Sequence, residues 1–207
     1  MRRIVCLAVL WLAANSLAAE KAEPLAKGLK NPKAVATGYD GKIYVAAEGK
    51  DGGAIFVLKD GKPTPFADGL TDPHGLAVFQ QWLFVADKDR VWGIDRNSGR
   101  AAVLAGPEAF PAPPRALCGV AVDENGTVYA CDRGDRTGNG AAVYRINPQR
   151  KATVVTDSKR SPELKAPAAL LMDSTSHLLV LDAHKGLYRV AVAGGKTEFV
   201  AGNPSTG

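Results

Sequence analysis

The chain has 207 residues, and its 26 basic and 21 acidic side chains give a formal net charge of +5. Because 46% of the residues are hydrophobic and 23% are charged, the composition is that of a globular protein rather than a disordered one. No basic stripe interleaved with aromatic residues is present, so the sequence predicts that nucleic acid is not a partner.

Residues 1–19 have the composition of a secretory signal peptide. Arg2 and Arg3 give a basic start, residues 4–14 form a short apolar core, and small residues follow at 16–19. The apolar core is too short to span a bilayer, and no second stretch approaches that length. We therefore expect export to the periplasm or the extracellular space, with no membrane span in the mature chain of residues 20–207.

Four similar units follow the signal peptide, and their openings recur at intervals of about 45 residues. Short apolar, β-branched and aromatic runs bounded by turn residues predict strands, and no window shows helical spacing of comparable strength. The second strand of each unit is the clearest: Ile43–Glu48, Leu83–Asp87, Val128–Asp132 and Leu178–Asp182. Equivalent first-strand positions are predicted at Val35, Leu76, Val120 and Leu170. The predicted units cover about residues 26–70, 71–110, 111–160 and 161–207.

Four strands per repeat at this period is typical of the blades of a β-propeller, an all-β fold of four-stranded antiparallel sheets. One blade cannot bury both of its faces, so it must pack against its neighbours. A six-bladed ring of this period would need about 270 residues. The sequence therefore favours four blades of a six-bladed ring, with a four-bladed ring or the meeting of two copies as alternatives.

The unit from Asp72 to Asp95 also resembles a known family. Its Pro73-x-Gly75-Leu-Ala-Val opening, its Leu83–Asp87 strand and its Arg90–Asp95 strand are similar to the six-bladed propellers of the NHL-repeat and SMP-30/gluconolactonase type. The resemblance covers the chain from about residue 25 onwards. It implies a small-molecule or carbohydrate-type ligand at one mouth of the central channel.

The same resemblance implies two enzymatic alternatives to a binding protein, and the sequence leaves open whether the protein is an enzyme. One is a metal-dependent sugar-lactone hydrolase, in which acidic and asparagine side chains hold a divalent cation such as Ca²⁺ at the mouth. The other is a quinone-dependent sugar dehydrogenase, with His74 as the base and Arg115 or Arg133 as a clamp on the substrate. The openings of the four units lack the acidic and asparagine set of the lactonases, which counts against the first alternative.

Propeller geometry brings the start of each inner strand and the end of each second strand to the same mouth. The residues at these two places are Lys33, His74, Cys118 and Ala168, and Glu48, Asp87, Asp132 and Asp182. From them and the crossing loop we predict a ligand-binding set of Lys33, His74, Arg115, Asp132 and Asp182. His74 is the candidate catalytic residue, and the candidate metal ligands are His74, Asp87 and Asp132. Each aspartate also has a purely structural alternative, which is to accept bonds from nearby backbone N–H groups.

A glycine-rich loop in the third unit offers a second candidate cation site. Asp132, Asp135 and Asn139 supply side-chain oxygens that could hold Ca²⁺. Arg133 and Arg136 lie in the same loop, and their positive charges count against the site.

Removal of the signal peptide leaves two cysteines, Cys118 and Cys131, both in the third unit. Counting outward from a turn centred on Glu124 and Asn125 places them opposite each other on adjacent antiparallel strands. That separation suits a disulfide, and an exported protein meets an oxidising compartment. We therefore predict a Cys118–Cys131 disulfide, with two buried thiols or a free Cys118 at the mouth as alternatives.

Overall fold

The computed structural model describes residues 23–202, and its regular structure consists of sixteen strands and one short 3₁₀ turn at Pro107–Ala109. The predicted signal peptide lies outside the described residues. The first two sheets contain β1 (Lys30–Thr37), β2 (Ile43–Glu48), β3 (Gly53–Lys59), β4 (Lys62–Leu70), β5 (Pro73–Phe79), β6 (Trp82–Asp87), β7 (Arg90–Asp95) and β8 (Ala101–Ala105). The other two contain β9 (Leu117–Val122), β10 (Val128–Asp132), β11 (Ala142–Ile146), β12 (Ala152–Asp157), β13 (Pro167–Ser174), β14 (His177–Asp182), β15 (Gly186–Ala191) and β16 (Thr197–Ala201).

Each sheet contains four consecutive antiparallel strands, in the order in which they occur along the chain. We number these sheets as blades 1 to 4. The predicted all-β fold of four-stranded antiparallel blades is therefore confirmed. Val35, Leu76, Val120 and Leu170 fall at equivalent places on the first strands, where they oppose Val45, Val85, Ala130 and Val180.

The apolar cores lie between blades and not within them. In β6, Leu83 and Val85 pack against blade 1, whereas Phe84 and Ala86 pack against blade 3. In β10, Val128 and Ala130 join the core shared with blade 2, while Tyr129 and Cys131 join the core shared with blade 4. This division follows from the two-residue period of a strand, which sends successive side chains to opposite faces. Because both faces of these second strands are buried, successive residues along them have to be apolar rather than every other one.

The first strands are the innermost, and small residues let them approach one another. β1 contacts β5, β5 contacts β9, and β9 contacts β13. A Cβ atom added to Gly119 would lie 2.8 Å from the Cys131 Sγ and 3.0 Å from the Leu170 nitrogen, and one added to Gly75 would lie 2.7 Å from the Gly119 Cα. The spacing of the inner strands therefore depends on glycine at these two positions.

Blades 1 and 4, the first and last of the four, expose apolar side chains on their first strands. Val35 in β1 and Leu171 in β13 are 64% and 63% exposed, whereas Val120 in β9 is 3% exposed. Within residues 23–202, no blade covers these positions as blades 2 and 4 cover the faces of blade 3.

An arginine joins blades 1 and 2 at the end of the sheets where the first strands finish and the second strands begin. The Arg96 guanidinium donates to the Tyr44 hydroxyl at 3.1 Å and to the Gln80 carbonyl at 2.6 Å, and it pairs with Asp40. It also lies over the Tyr44 ring, 5.5 Å from the centroid. Because Arg96 is largely buried, its charge needs these partners.

Every inner strand is irregular at its start. Pro73 opposes Asp87 and Gly75 opposes Ala86, so His74 is the extra residue of a β-bulge. Cys118 and Ala168 are the extra residues at the same place in blades 3 and 4. In blade 1 the shift lies between Lys30 and Ala34 and includes Lys33. The four positions predicted to face the mouth therefore all lie outside the regular ladder.

The predicted register between the two cysteines is wrong by one residue. Asp123 donates its N–H to the Thr127 carbonyl, and Gly126 adopts φ 80°. The turn is therefore a three-residue loop with a left-handed glycine and not a two-residue turn. Gly119, not Cys118, opposes Cys131.

The close approach at Gly119 predicts a large stability difference between two strand glycines. Gly119→Ala should lower the free energy of unfolding by about 1–3 kcal/mol, because the new methyl group overpacks the contact between β9 and β13. Gly93→Ala is the matched control, since its Cβ would meet only ring atoms at 3.8 and 3.9 Å, and it should change the value by less than about 0.5 kcal/mol. Urea unfolding of the two variants measures the difference, and equal values would contradict the packing argument.

Candidate functional site

Three buried aspartates hold the chain where it passes from one blade to the next. Asp87 accepts the backbone N–H groups of Thr71 and Asp72. Asp132 accepts those of Arg115 and Ala116 at 2.8 and 2.9 Å, and Asp182 accepts those of Lys165 and Ala166 at 2.7 and 2.6 Å. We call each such carboxylate an aspartate clamp. It fixes the segment before an inner strand to the end of the second strand.

The clamps use further donors as well. Asp87 accepts the Trp92 Nε1–H at 2.8 Å, and Asp132 accepts the Gly134 N–H at 2.9 Å. Asp182 accepts the N–H groups of His184 and Lys185 at 3.0 and 3.1 Å. The carboxylate oxygens are therefore occupied by protein donors, which supports the structural alternative for all three.

Blade 1 lacks this arrangement. Glu48 takes the corresponding place at the end of β2, but it is exposed, and it accepts no backbone hydrogen bond from residues 23–202. Lys33 in the same blade instead forms an ion pair with Asp72 at the start of blade 2.

Asp72 organises the side chains at the start of the second inner strand. Its carboxylate pairs with Lys33 and lies 3.6 Å from the His74 Nδ1, while its carbonyl accepts a 2.9 Å hydrogen bond from that nitrogen. Because Nδ1 donates to a carbonyl, the neutral ring has its free lone pair on Nε2. His74 can therefore accept a hydrogen bond from a ligand when neutral and donate one when protonated.

A cavity of about 340 Å³ lies between blades 2 and 3. It is at the end of the blades where the inner strands begin and the second strands finish, which we call the mouth. His74 and Cys118 line it from the two inner strands, and Arg115 lines it from the crossing segment. Its lining also includes Lys88 and Arg133 from the turns that follow the second strands. The cavity thus combines His74 and Arg115, which belong to the predicted ligand-binding set, with two further basic side chains, Lys88 and Arg133.

The other three residues of the predicted ligand-binding set do not line this cavity. Asp132 supports it from behind through the backbone of Arg115, and Lys33 is connected through Asp72. Asp182 belongs to the clamp of blade 4. Asp72 and Lys88 also line the cavity but were not among the predicted site residues, although the position of Asp72 directly before the opening proline was a usable signal.

A larger cavity of about 1240 Å³ lies between the outer strands of blades 1 and 2. Its lining contains several glycines and the rings of Phe56, Phe66 and Trp92, together with Glu48 at the end of β2 and Lys50 and Asp51 from the turn that follows. It is wide and open, and none of its lining residues within 23–202 is a histidine or an arginine. The smaller cavity is the better candidate site because its polar side chains converge.

The two cysteines are buried and carry free thiols in this structure. Their Sγ atoms are 3.4 Å apart, because the bulge turns Cys118 towards the face that Cys131 occupies. Cys118 also donates to the Pro167 carbonyl at 2.8 Å. The hydrogen bond with Cys118, together with burial, raises the pKa of the Cys131 thiol well above its ordinary value.

The residues at the mouth do not fit a divalent cation. Within residues 23–202, no three His, Cys, Asp or Glu side chains come close enough together to hold a metal ion. Ca²⁺ requires six to eight oxygen ligands, whereas the oxygens of Asp87 and Asp132 are engaged by N–H donors. Asp135 in the candidate calcium loop accepts bonds from Thr137 and Asn139. The described residues at the mouth therefore offer a divalent cation no adequate set of ligands.

Comparison with solved structures establishes the fold. A gluconolactonase from Xanthomonas campestris superposes with a TM-score of 0.70 at 17% identity, covering 87% of this chain and 66% of that one. A protein assigned by family as a gluconolactonase gives 0.66 at 15% identity, with 85% and 64% covered. The extracellular domain of a B. thetaiotaomicron protein assigned as a hybrid two-component system gives 0.63 at 14%, with 89% and 23% covered. The chain thus spans less than two thirds of these proteins.

These likenesses confirm the expected β-propeller fold. No family model matches the sequence, and no curated protein matches it. In the part of the chain that the structure describes, no helix has the length and apolar character needed to cross a membrane.

The clamps predict a blade-dependent effect of removing one carboxylate charge. Asp87→Asn should lower the free energy of unfolding by about 2–3 kcal/mol, since the amide replaces a charged acceptor and points N–H at buried donors. Glu48→Gln, the equivalent change in blade 1, should stay within about 0.5 kcal/mol because Glu48 is exposed. Denaturant unfolding compares the two, and a stable Asp87→Asn protein would show that the clamp is dispensable.

The cysteine geometry predicts that an oxidising compartment links the two thiols. The Sγ atoms would move from 3.4 Å to about 2.05 Å, and the short loop would stabilise the protein by about 3 kcal/mol at most. Protein prepared from such a compartment, denatured without reductant, should show no free thiol in a thiol-reagent titration. Cys118→Ser should show one free thiol, which controls for the reagent. Two free thiols in the unmodified protein would rule out the disulfide.

Proposed function

We propose that this protein is an exported propeller that binds a small molecule at the channel mouth between blades 2 and 3. The observation that supports this most is the 340 Å³ cavity where His74, Arg115 and Cys118 meet Lys88 and Arg133. This volume is within the range of small-molecule sites. Residues from two blades and their turns contribute, so the site forms only when the blades pack.

The polar groups of the cavity suit a ligand with hydroxyl and anionic groups. His74 offers its Nε2 to a ligand hydroxyl, because its Nδ1 is engaged by the Asp72 carbonyl at 2.9 Å. Arginine side chains present parallel donors that match a carboxylate or a phosphate. A carbohydrate-type ligand is consistent with both features.

The proposed export has two supports. Residues 1–19 have the composition of a signal peptide, and one similar solved structure is an extracellular domain. Periplasmic or extracellular location would also permit the Cys118–Cys131 disulfide.

Hydrolysis of a sugar lactone is the second candidate, because two similar structures are described as gluconolactonases. The donor set at the mouth does not support a metal-dependent mechanism. Incubating the protein with glucono-1,5-lactone and Ca²⁺ or Zn²⁺, and following acid release, tests this candidate directly. A quinone-dependent dehydrogenase would need His74 as base and Arg115 or Arg133 as clamp, and quinone absorbance after reconstitution tests it.

His74→Ala should abolish binding while leaving the fold intact. In thermal-shift measurements with glucose, glucono-1,5-lactone, gluconate and glucose 6-phosphate, we expect at least one compound to raise the melting temperature by about 2 °C or more. The shift should disappear in His74→Ala, because the ligand loses its contact with Nε2. Without ligand, the variant should melt within about 2 °C of the original protein. His74 is the extra residue of a bulge, so its side chain can be removed without breaking the hydrogen bonds of the ladder.

His177→Ala is the matched control, because His177 lies at the start of β14, at the end of the strand opposite the Asp182 clamp. It should retain the full ligand-induced shift. A shift that survives in His74→Ala, or that disappears equally in both variants, would contradict binding at this cavity.

A further inference from the structure

The cavity between blades 2 and 3 has an excess of positive charge. Lys88, Arg115 and Arg133 line it, and Asp72 is its one acidic lining residue among residues 23–202. Asp72 already pairs with Lys33. The charge of Asp72 is therefore not available to neutralise the three cations.

One of the three cations has a partner outside the cavity. The Arg115 Nη1 lies 3.5 Å from the Asp135 carboxylate, and the Arg115 side chain is 61% exposed. Hydrogen bonds from Thr137, by side chain and backbone, lower the pKa of Asp135, so its charge is retained at neutral pH. Lys88 and Arg133 form no ion pair with any of residues 23–202. Neither cation is therefore held in a salt bridge within the described residues, and the nearest acidic influence on Lys88 is the Asp89 carboxylate, which Arg90 already engages.

The backbone at these cations is fixed by hydrogen bonds between turns. The Lys88 carbonyl accepts the Leu117 N–H at 2.7 Å, and the Arg133 N–H donates to the Ala116 carbonyl at 3.0 Å. The Asp132 clamp holds the Arg115 N–H at 2.8 Å. Lys88 therefore belongs to blade 2 by sequence but is anchored to blade 3. The backbone from which these cationic side chains extend is therefore fixed before a ligand binds, so binding has to order the side chains but not the turns.

The size of the cavity restricts the ligand to a small molecule. About 340 Å³ is near the lower end of the range for small-molecule sites. A nucleic acid would need an extended basic surface with aromatic stacking groups, whereas His74 is the one aromatic side chain among the described residues that line this cavity.

We propose that this cavity binds a small organic dianion, either a phosphate monoester or a dicarboxylate, with Lys88 and Arg133 neutralising its two charges. Arg115 contributes a shared third contact, and His74 Nε2 binds a hydroxyl of the same molecule. The inference rests on the proposed function, since it names the class of ligand that the mouth binds.

Isothermal titration at low ionic strength tests the proposal with three probes of similar size: glucose 6-phosphate, glucarate and glucose. We expect at least one dianion to bind at least tenfold more tightly than glucose. Lys88→Gln and Arg133→Gln should each weaken that binding about tenfold. Arg145→Gln is the control for loss of a positive charge, since Arg145 lies in β11 near its far end from the Asp132 clamp, and it should change affinity less than about twofold.

Comparison of the three probes shows whether the site prefers a phosphate monoester or a dicarboxylate. Binding of glucose 6-phosphate alone assigns the site to phosphate monoesters, and binding of glucarate alone assigns it to dicarboxylates. Glucose binding that equals dianion binding, and that His74→Ala abolishes, would overturn the charge selection but leave binding at the mouth intact. Dianion binding that Lys88→Gln and Arg133→Gln leave unchanged would also overturn it. No binding by any probe would count against both proposals.

Discussion

The aspartate clamp is the interaction on which the rest of this structure depends. A buried carboxylate at the end of each second strand in blades 2 to 4 accepts the two N–H groups that precede an inner strand. These donors lie outside any ladder, and a buried N–H group without a partner is costly. The clamp satisfies them and sets where each inner strand begins.

The clamp also accounts for the bulges of blades 2 to 4, whereas blade 1 is irregular without a clamp. Pro73 is held opposite Asp87, and regular pairing resumes at Gly75 opposite Ala86. Between these two fixed pairs the inner strand has one extra residue, His74, which the ladder cannot pair. The same surplus places Cys118 in blade 3 and Ala168 in blade 4 at the mouth. The clamp thus fixes which residue of each inner strand in blades 2 to 4 stands outside the ladder.

Much of the fold could be predicted from the sequence because both faces of each blade are buried. Continuous apolar second strands such as Ile43–Glu48 and Val128–Asp132 coincide with β2 and β10. The register of β9 against β10 could not be predicted in the same way, since it depends on whether Gly126 takes a left-handed conformation. The bulge at Cys118 then compensates for the extra turn residue, and no periodic pattern encodes that compensation.

The site was less accessible to sequence reasoning for a related reason. Lys33, His74 and Cys118 could be proposed because the repeats align them. Asp72 and Lys88 lie in turns, where the repeats differ in length and residue type. The role of the second-strand aspartates depended on which donors surround them, and that is a property of the packed blades rather than of the strands.

Because a bulged residue takes no part in the ladder, its side chain can change without altering the register of its blade. Positions 74, 118 and 168 hold a histidine, a cysteine and an alanine at equivalent one-residue bulges, and Lys33 lies in the longer irregularity of blade 1. The scaffold therefore tolerates chemical diversity at the mouth while the clamps preserve its shape. Directed evolution of binding at the proposed site would best begin at position 74, which lines the cavity between blades 2 and 3, whereas Lys33 and Ala168 lie outside its lining.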